Sequence, residues 1–259
     1  MNIHLDGALA KGYKSPSQIA RRVTEAWAEE NLYCVACSSS RVAQADTNAE
    51  AIDFRCDSCS SAYQLKALKS WSDRRVPDAG YDAMMRALRS DSVPNLLVMH
   101  YSLDWIVHRL MVIPSFLFTP AAIQKRKPLH HAARRAGWVG CNILLSEIAD
   151  DGKIFMLTDA QPVSQNIVRS KYDLLRPFAE LDVRLRGWTL DVFRMVRRIN
   201  KDRFSLDDVY AFEGALGRIH PENKNVRPKI RQQLQVLRDL GFVHFHGKGQ
   251  YSLISQLDS

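Results

Sequence analysis

Acidic residues are in short supply in this chain of 259 residues: 28 Asp plus Glu stand against 36 Lys plus Arg, for a formal net charge of +8. That imbalance disfavours basic partners and favours polyanions, of which nucleic acid is the commonest in a cell. Long apolar runs are also missing. No stretch approaches the roughly 18 uncharged apolar residues that a membrane-spanning helix needs, so no membrane partner is expected. The start, MNIHLDGALAKGYKSPS, lacks the continuous apolar core of a secretory signal, and the expected location is the cytoplasm. Internal repeats and low-complexity tracts are absent, which excludes solenoids and extended disordered tails. Cysteine is scarce and odd in number, with five residues, so a fully paired disulfide framework is excluded. What remains, 46% hydrophobic and 25% charged, is the make-up of a globular protein large enough for one medium and one small domain.

The positive charge is unevenly spread. The segment Lys125 to Trp138, KRKPLHHAARRAGW, holds five Lys or Arg, two His and no acid. Residues 182–259 carry 14 basic and 9 acidic residues, +5 by difference.

Local pattern divides the chain in two. Ser15-Pro16 predicts a helix N-cap and first turn, followed by an apolar face of Ile19, Val23, Ala26 and Trp27. The runs NLLVMHYSL, WIVHRLMVI and KIFMLTD predict strands, and strands among helices predict a mixed α/β domain over residues 1–181. Residues 182–259 differ. An amphipathic helix is expected after Thr189 as N-cap, and a second at Ser205 with a capping box to Asp208. A third, from about Arg227 to Leu240, sets Ile230, Leu234 and Leu237 on one face. FVHFH and QYSLI then flank Gly247-Lys248-Gly249 as a hairpin. Three helices and a hairpin make the order of a winged helix-turn-helix. No Gly-, Ser- or Pro-rich linker marks the boundary.

Four of the five cysteines fall into two tight pairs, Cys34-Val35-Ala36-Cys37 and Cys56-Asp57-Ser58-Cys59, with eighteen residues between them. Two residues between thiolates let one turn aim both sulfurs at one ion, and two such turns complete a zinc tetrahedron. The other reading is buried cysteines that pair by chance. Cys141 has no near partner and reads as a small apolar residue.

Asp53 stands just before the second pair, in AIDFRC, and Gln64-Leu65-Lys66 follows in AYQLKALK. Strand alternation puts Gln64 and Lys66 on one face. An Asp, a spacer, then an acid or amide two before a Lys is the outline of the PD-(D/E)xK nucleases. Phosphodiester hydrolysis uses a divalent ion, and hard oxygen donors suit Mg²⁺. Asp53 would bind the ion, the Leu65 carbonyl could complete its shell, and Lys66 would hold the attacking water and the phosphate. The same Lys also reads as an ordinary solvated strand residue. Because the second cysteine turn lies inside the spacer, zinc would clamp the two catalytic strands together.

On the third C-terminal helix the apolar face leaves Arg231, Gln232, Gln235 and Arg238 outward. Arg can read guanine and Gln adenine in the major groove. A solvated polar face is the alternative. The Lys248 tip would lie near phosphates. Trp138, after Arg134 and Arg135 in a basic loop, reads either as core packing or as a base contact.

Several segments are too long to match by accident: YKSPSQIARRVTEAW, the paired CxxC motifs, AIDFRC, AAIQKRKPL, ARRAGWVGCNI, RGWTLDV and KIRQQLQVLRD. Through them the chain resembles the DpnI-type methyl-directed restriction endonucleases over nearly its whole length. The resemblance implies an N-terminal PD-(D/E)xK domain with a structural zinc and a C-terminal winged helix. It implies Mg²⁺-dependent cutting of double-stranded DNA at GATC sites bearing N6-methyladenine. By position Asp53 and Lys66 match the family's catalytic Asp and Lys, and Cys34, Cys37, Cys56 and Cys59 its zinc ligands. It also strengthens the base-contact reading of Trp138. A monomer is expected in solution. Gln64 departs from the family pattern, which has Glu there. An amide oxygen can still bind a metal, but one negative charge is gone. The alternative function is therefore a catalytically silent methyl-DNA-binding or regulatory protein on the same scaffold.

Overall fold

A computed structural model describes residues 1–46 and 51–254; the last five residues of the expected C-terminal domain lie outside that range. Helix α1 (Pro16–Asn31) opens on its proline, but the Ser15 side chain makes no cap bond. Its hydroxyl sits instead 2.9 Å from that of Ser17. Val23 and Trp27 are buried as the periodicity predicts. Thr24 and Ala28 complete that face, while Ile19 and Ala26 are half-buried.

The strands follow as β1 (Ala43–Gln44), β2 (Phe54–Arg55), β3 (Ala62–Leu68), β4 (Arg75–Gly80), β5 (Asn95–Tyr101), β6 (Val107–Ile113), β7 (Ile123–Lys125), β8 (Gly140–Leu144), β9 (Ile154–Thr158) and β10 (Gln161–Pro162). Helix α2 (Tyr81–Arg89) follows β4, and α3 (Gln165–Leu175) follows β10. Seven strands form one sheet in the order β1-β2-β3-β5-β6-β9-β10. Only the β3–β5 pair in it is parallel. A parallel pair needs a long crossover, and residues 69–94 supply it with β4 and α2. Strand β4 joins β8 and β7 in a second sheet, order β4-β8-β7.

The two sheets explain why β5 reads as an uninterrupted apolar run. Leu97 and Met99 pack with Val23 and Trp27 of α1. Leu96 and Val98, pointing the other way, pack with Val76 of β4, Ile143 of β8, and Met84 and Leu88 of α2. A strand covered on both faces has no polar alternation to show.

The C-terminal part holds α4 (Val183–Ile199), β11 (Arg203–Ser205), α5 (Leu206–Tyr210), α6 (Glu213–Ile219), α7 (Val226–Asp239), β12 (Val243–Gly247) and β13 (Gln250–Leu253). Helix α4 begins seven residues before the expected start. Its N-cap is Asp182, whose side chain accepts from the Arg184 and Leu185 N–H groups. Thr189 is a buried mid-helix residue, its hydroxyl bonded to the Leu185 carbonyl and to Gln233 of α7. Local pattern favoured Thr189 because the apolar run starts there; Asp182 satisfies two orphan donors and wins. The Ser205–Asp208 capping box forms as expected. The hairpin β12–β13 also forms, and β11 joins it in the order β11-β13-β12.

Helix α4 ties this part to the large sheet. Phe193 of α4 packs with Phe178 and with Phe242 at centroid distances of 5.4 and 5.2 Å. Arg194, 4% exposed, pairs with Glu147 and lies 3.5 Å from Asp191, which His220 contacts at 2.9 Å. Arg197 reaches Asp151 at 2.8 Å, and Arg186 pairs with Asp91.

Candidate metal centre, cleft and nucleic-acid interface

Helix α1 ends at Asn31, and the chain runs straight into the first cysteine turn; the second turn joins β2 to β3. The four sulfurs of Cys34, Cys37, Cys56 and Cys59 lie within 4.8 Å of one another. Cys34 Sγ is 3.5 Å from Cys59 Sγ, and Cys37 Sγ is 3.6 Å from Cys56 Sγ. These are far beyond a disulfide bond. They are close to the ~3.8 Å edge of a tetrahedron with ~2.3 Å metal–sulfur bonds. The donor set and spacing thus fit zinc.

The surroundings prepare the sulfurs for a cation. Burial works against an anionic Cys56, but the backbone N–H groups of Cys59 and Ser58 outweigh it and bring the thiol down to about 6. Burial pushes Cys34 up to about 12, so an adjacent cation is what would make it a thiolate. Tyr63 OH lies 3.1 Å from Cys34 Sγ and accepts the Val35 N–H. Two arginines, one in α3 and one just after it, brace the first turn: Arg169 donates to the Cys34 and Ser39 carbonyls, and Arg176 to that of Ala36. The sequence reading missed these three residues. The arginines stand more than a hundred positions away, and no local pattern links them to the cysteines.

Below the second turn, β2 and β3 pair only through Phe54↔Tyr63 and Arg55↔Ala62. Phe54 and Tyr63 are both in the core, so Asp53 and Gln64 face the other way, as the alternation predicts. The Asp53 N–H donates to the Tyr63 carbonyl at 2.9 Å, and its Oδ2 accepts from the Leu65 N–H at 2.7 Å. A strand residue points its N–H and C=O to the same edge. The Leu65 carbonyl therefore also lies on the Asp53 side, past the last β2–β3 pair. Gln64 and Lys66 share a face, register with Leu96 and Val98 of β5, and look toward the second sheet. Gln64 is buried, and the Lys66 ammonium is 2.7 Å from Asp78 of β4. Asp78 was not singled out in the sequence: it sits alone in RRVPDAG, and its neighbour is reached only across the crossover. Cys141 is buried, its thiol donating to the Ala79 carbonyl, and burial raises it to about 11.

A cleft of about 630 Å³ opens on this face. Gln64 and Asp78 line one part of it, Arg135 and Trp138 another. The structure thus brings Trp138, seventy-odd residues away in sequence, to the same cavity as the candidate catalytic strand. Trp138 is half-buried and lies on a floor of two paired glycines, Gly80 and Gly140. A Cβ on Gly140 would come within 2.8 Å of the indole, so no larger residue fits under the ring. The Arg135 guanidinium stacks at 4.8 Å from the ring centroid. Arg134 is exposed in the same loop.

In the C-terminal part, α7 buries Ile230, Gln233, Leu234 and Leu237 and leaves Arg231, Gln232, Gln235 and Arg238 exposed. Arg231 donates to Tyr210 OH at 2.7 Å, Lys229 to Gln232 at 2.9 Å, and Arg238 to Asp239 at 2.9 Å. Lys248 is exposed at the hairpin tip with a positive φ of 48°, between two glycines.

The Dam-replacing family model DpnI matches residues 1–180, and the model of the Dam-replacing helix-turn-helix domain, DpnI_C, matches residues 184–253. Among the described residues no helix is long and apolar enough to cross a membrane. A mixed sheet with a four-cysteine cluster able to hold a metal ion, followed by a helix-turn-helix that exposes Arg and Gln, therefore has a family: the chain belongs to the DpnI, Dam-replacing family of methyl-directed restriction endonucleases.

Proposed function

We propose that the protein is a Mg²⁺-dependent, methylation-dependent type II endonuclease, hydrolysing phosphodiester bonds of double-stranded DNA at GATC sites that carry N6-methyladenine. We divide it into a nuclease domain, residues 1–181, and a winged-helix reading domain, residues 182–259. The observation that carries the reading is the end of the β2–β3 pair. There the Asp53 carboxylate is tied to Leu65, and Gln64 and Lys66 lie on one face.

Asp53, the Leu65 carbonyl and the Gln64 amide oxygen are hard donors of the kind Mg²⁺ prefers, so these residues fit the ion the family implies. When bound, the ion would stabilise charge growing on the phosphate and lower the pKa of the attacking water. Asp53 Oδ2 is committed to Leu65, so Oδ1 would be the oxygen left to hold such an ion. Lys66 offers three N–H donors for a water and a phosphate oxygen. The four cysteines, holding zinc, would keep β2 and β3 in register at the point where this geometry is set. Arg231, Gln232, Gln235 and Arg238 would read bases in the major groove, Lys248 and Arg134 would hold phosphates, and Trp138 would meet the methyl group.

The test is incubation with plasmid from a strain that methylates GATC adenines and from one that does not, with and without Mg²⁺. Cutting of the methylated plasmid alone, in Mg²⁺ alone, and its loss in Asp53→Ala with DNA binding retained, is the expected result. Gln64 supports a second reading, a silent methyl-DNA binder. Retention of methylated DNA without any cut would decide for it.

A further inference from the structure

Asp78 is the charged group nearest the candidate catalytic lysine. Its side chain is 3% exposed, and Oδ1 lies 2.7 Å from Lys66 Nζ. The two residues come from different sheets, Lys66 from β3 and Asp78 from β4. Within its own sheet Asp78 stands opposite Cys141, whose thiol is turned to the Ala79 carbonyl. The contact to Lys66 is an ion pair without the angle of a directed hydrogen bond, so the ammonium keeps donors for other oxygens.

Such a placement needs a reason. A buried ion pair contributes little net stability, because desolvation offsets the attraction. Yet this carboxylate lines the same cleft as Gln64. Gln64 is two residues from Lys66 on the same face and has no charge to offer it. Asp53 has one oxygen committed to the Leu65 N–H. We propose that Asp78 is a positioning residue that holds the Lys66 ammonium beside the cleft that Gln64 and Asp78 line, supplying from β4 the anion that Gln64 does not supply from β3. This rests on the nuclease reading for its effect on cleavage, but not for its geometry.

The test uses the full-length, zinc-loaded protein and the variants Asp78→Asn, Asp78→Glu and Gln64→Glu/Asp78→Asn. One readout is acylation of Lys66 by an amine-selective reagent, followed by peptide mass spectrometry without DNA. The other is single-turnover cleavage of methylated GATC DNA, with DNA affinity measured in the absence of Mg²⁺. Asp78→Asn should raise Lys66 labelling several-fold and slow cleavage at least tenfold, with affinity within twofold of wild type. Asp78→Glu should return both readouts most of the way. Gln64→Glu in the Asp78→Asn background should recover most of the lost rate, because it returns an anion to the same face. If Asp78→Asn fails to fold by circular dichroism, Asp78→Ser removes the same charge and is read in its place. Unchanged Lys66 labelling in the charge-free variant overturns the proposal, whatever the cleavage rate. So does a slowed variant that Gln64→Glu does not help. If the wild-type protein cuts nothing, the nuclease reading has failed, and the labelling still decides whether Asp78 holds Lys66.

Discussion

Helix α7 presents the four candidate base readers Arg231, Gln232, Gln235 and Arg238 within fourteen consecutive positions, Val226–Asp239, while Ile230, Leu234 and Leu237 bury the other side. The candidate catalytic face is assembled differently. It draws Asp53 from the residue before β2, Gln64 and Lys66 from β3, Asp78 from β4 and Trp138 from a loop, and its first cysteine turn is braced by Arg169 of α3 and by Arg176 just after that helix. One region needs only a helix to be in place. The other needs two sheets, a crossover and a four-cysteine cluster brought together from two turns. The first should tolerate damage locally, whereas the second should fail as a unit.

The comparison breaks most visibly at the metal. Purified protein should carry about one zinc per chain by elemental analysis. Cys56→Ser should lose it, together with cleavage, since structural zinc contributes about 10–16 kcal/mol in zinc-finger peptides. Near- and far-ultraviolet circular dichroism should then show lost packing around β2 and β3 while the α7 helix persists. A variant that loses zinc and still cuts at the wild-type rate would show that the knuckle does not set the catalytic strands.

The joint between the regions comes next. Arg194 is nearly inaccessible and pairs with Glu147 beside Asp191. Arg194→Met leaves both acids short of their cation and should cost about 3–5 kcal/mol in urea unfolding. A loss of under 1 kcal/mol would mean that the aromatic contacts of Phe193 carry the joint alone.

Base reading should show smaller, local effects. Arg231→Ala is expected to cost about 1–3 kcal/mol and to relax preference at one base pair. Lys248→Ala should weaken binding evenly across sequences and lower the salt slope by about 0.9. Competition titrations at two salt concentrations separate the two. Equal loss on GATC and scrambled DNA in Arg231→Ala would reassign that residue to phosphate contact.

Trp138 should give the smallest change in energy. Burial of one methyl is worth about 0.8 kcal/mol, and of two about 1.6 kcal/mol. Trp138→Ala should thus shrink the methylated-to-unmethylated cleavage ratio by roughly four- to fifteen-fold. An intact ratio in a folded variant would make the indole a packing residue on its glycine floor.

Much of this was legible before any fold was known, and the reason is locality. The four-cysteine cluster that could hold zinc is two turns, each written in four residues. The Ser205–Asp208 capping box, the apolar stripe of α7 and the Gly-Lys-Gly hairpin are set by neighbours within one or two turns of chain. The shared face of Gln64 and Lys66 follows from strand alternation alone. Where local cues competed, sequence pattern chose wrongly: Thr189 looked like a cap, but Asp182 satisfies two N–H groups further upstream. The tertiary structure alone decided the rest. Asp78 meets Lys66 and Trp138 enters the Gln64 cleft only after a parallel β3–β5 pair carries residues 69–94 over one face of the sheet, while α3 reaches the first cysteine turn from the other face through Arg169. No periodicity records such contacts, because the residues share neither a helix nor a strand and owe their proximity to the burial of both faces of β5.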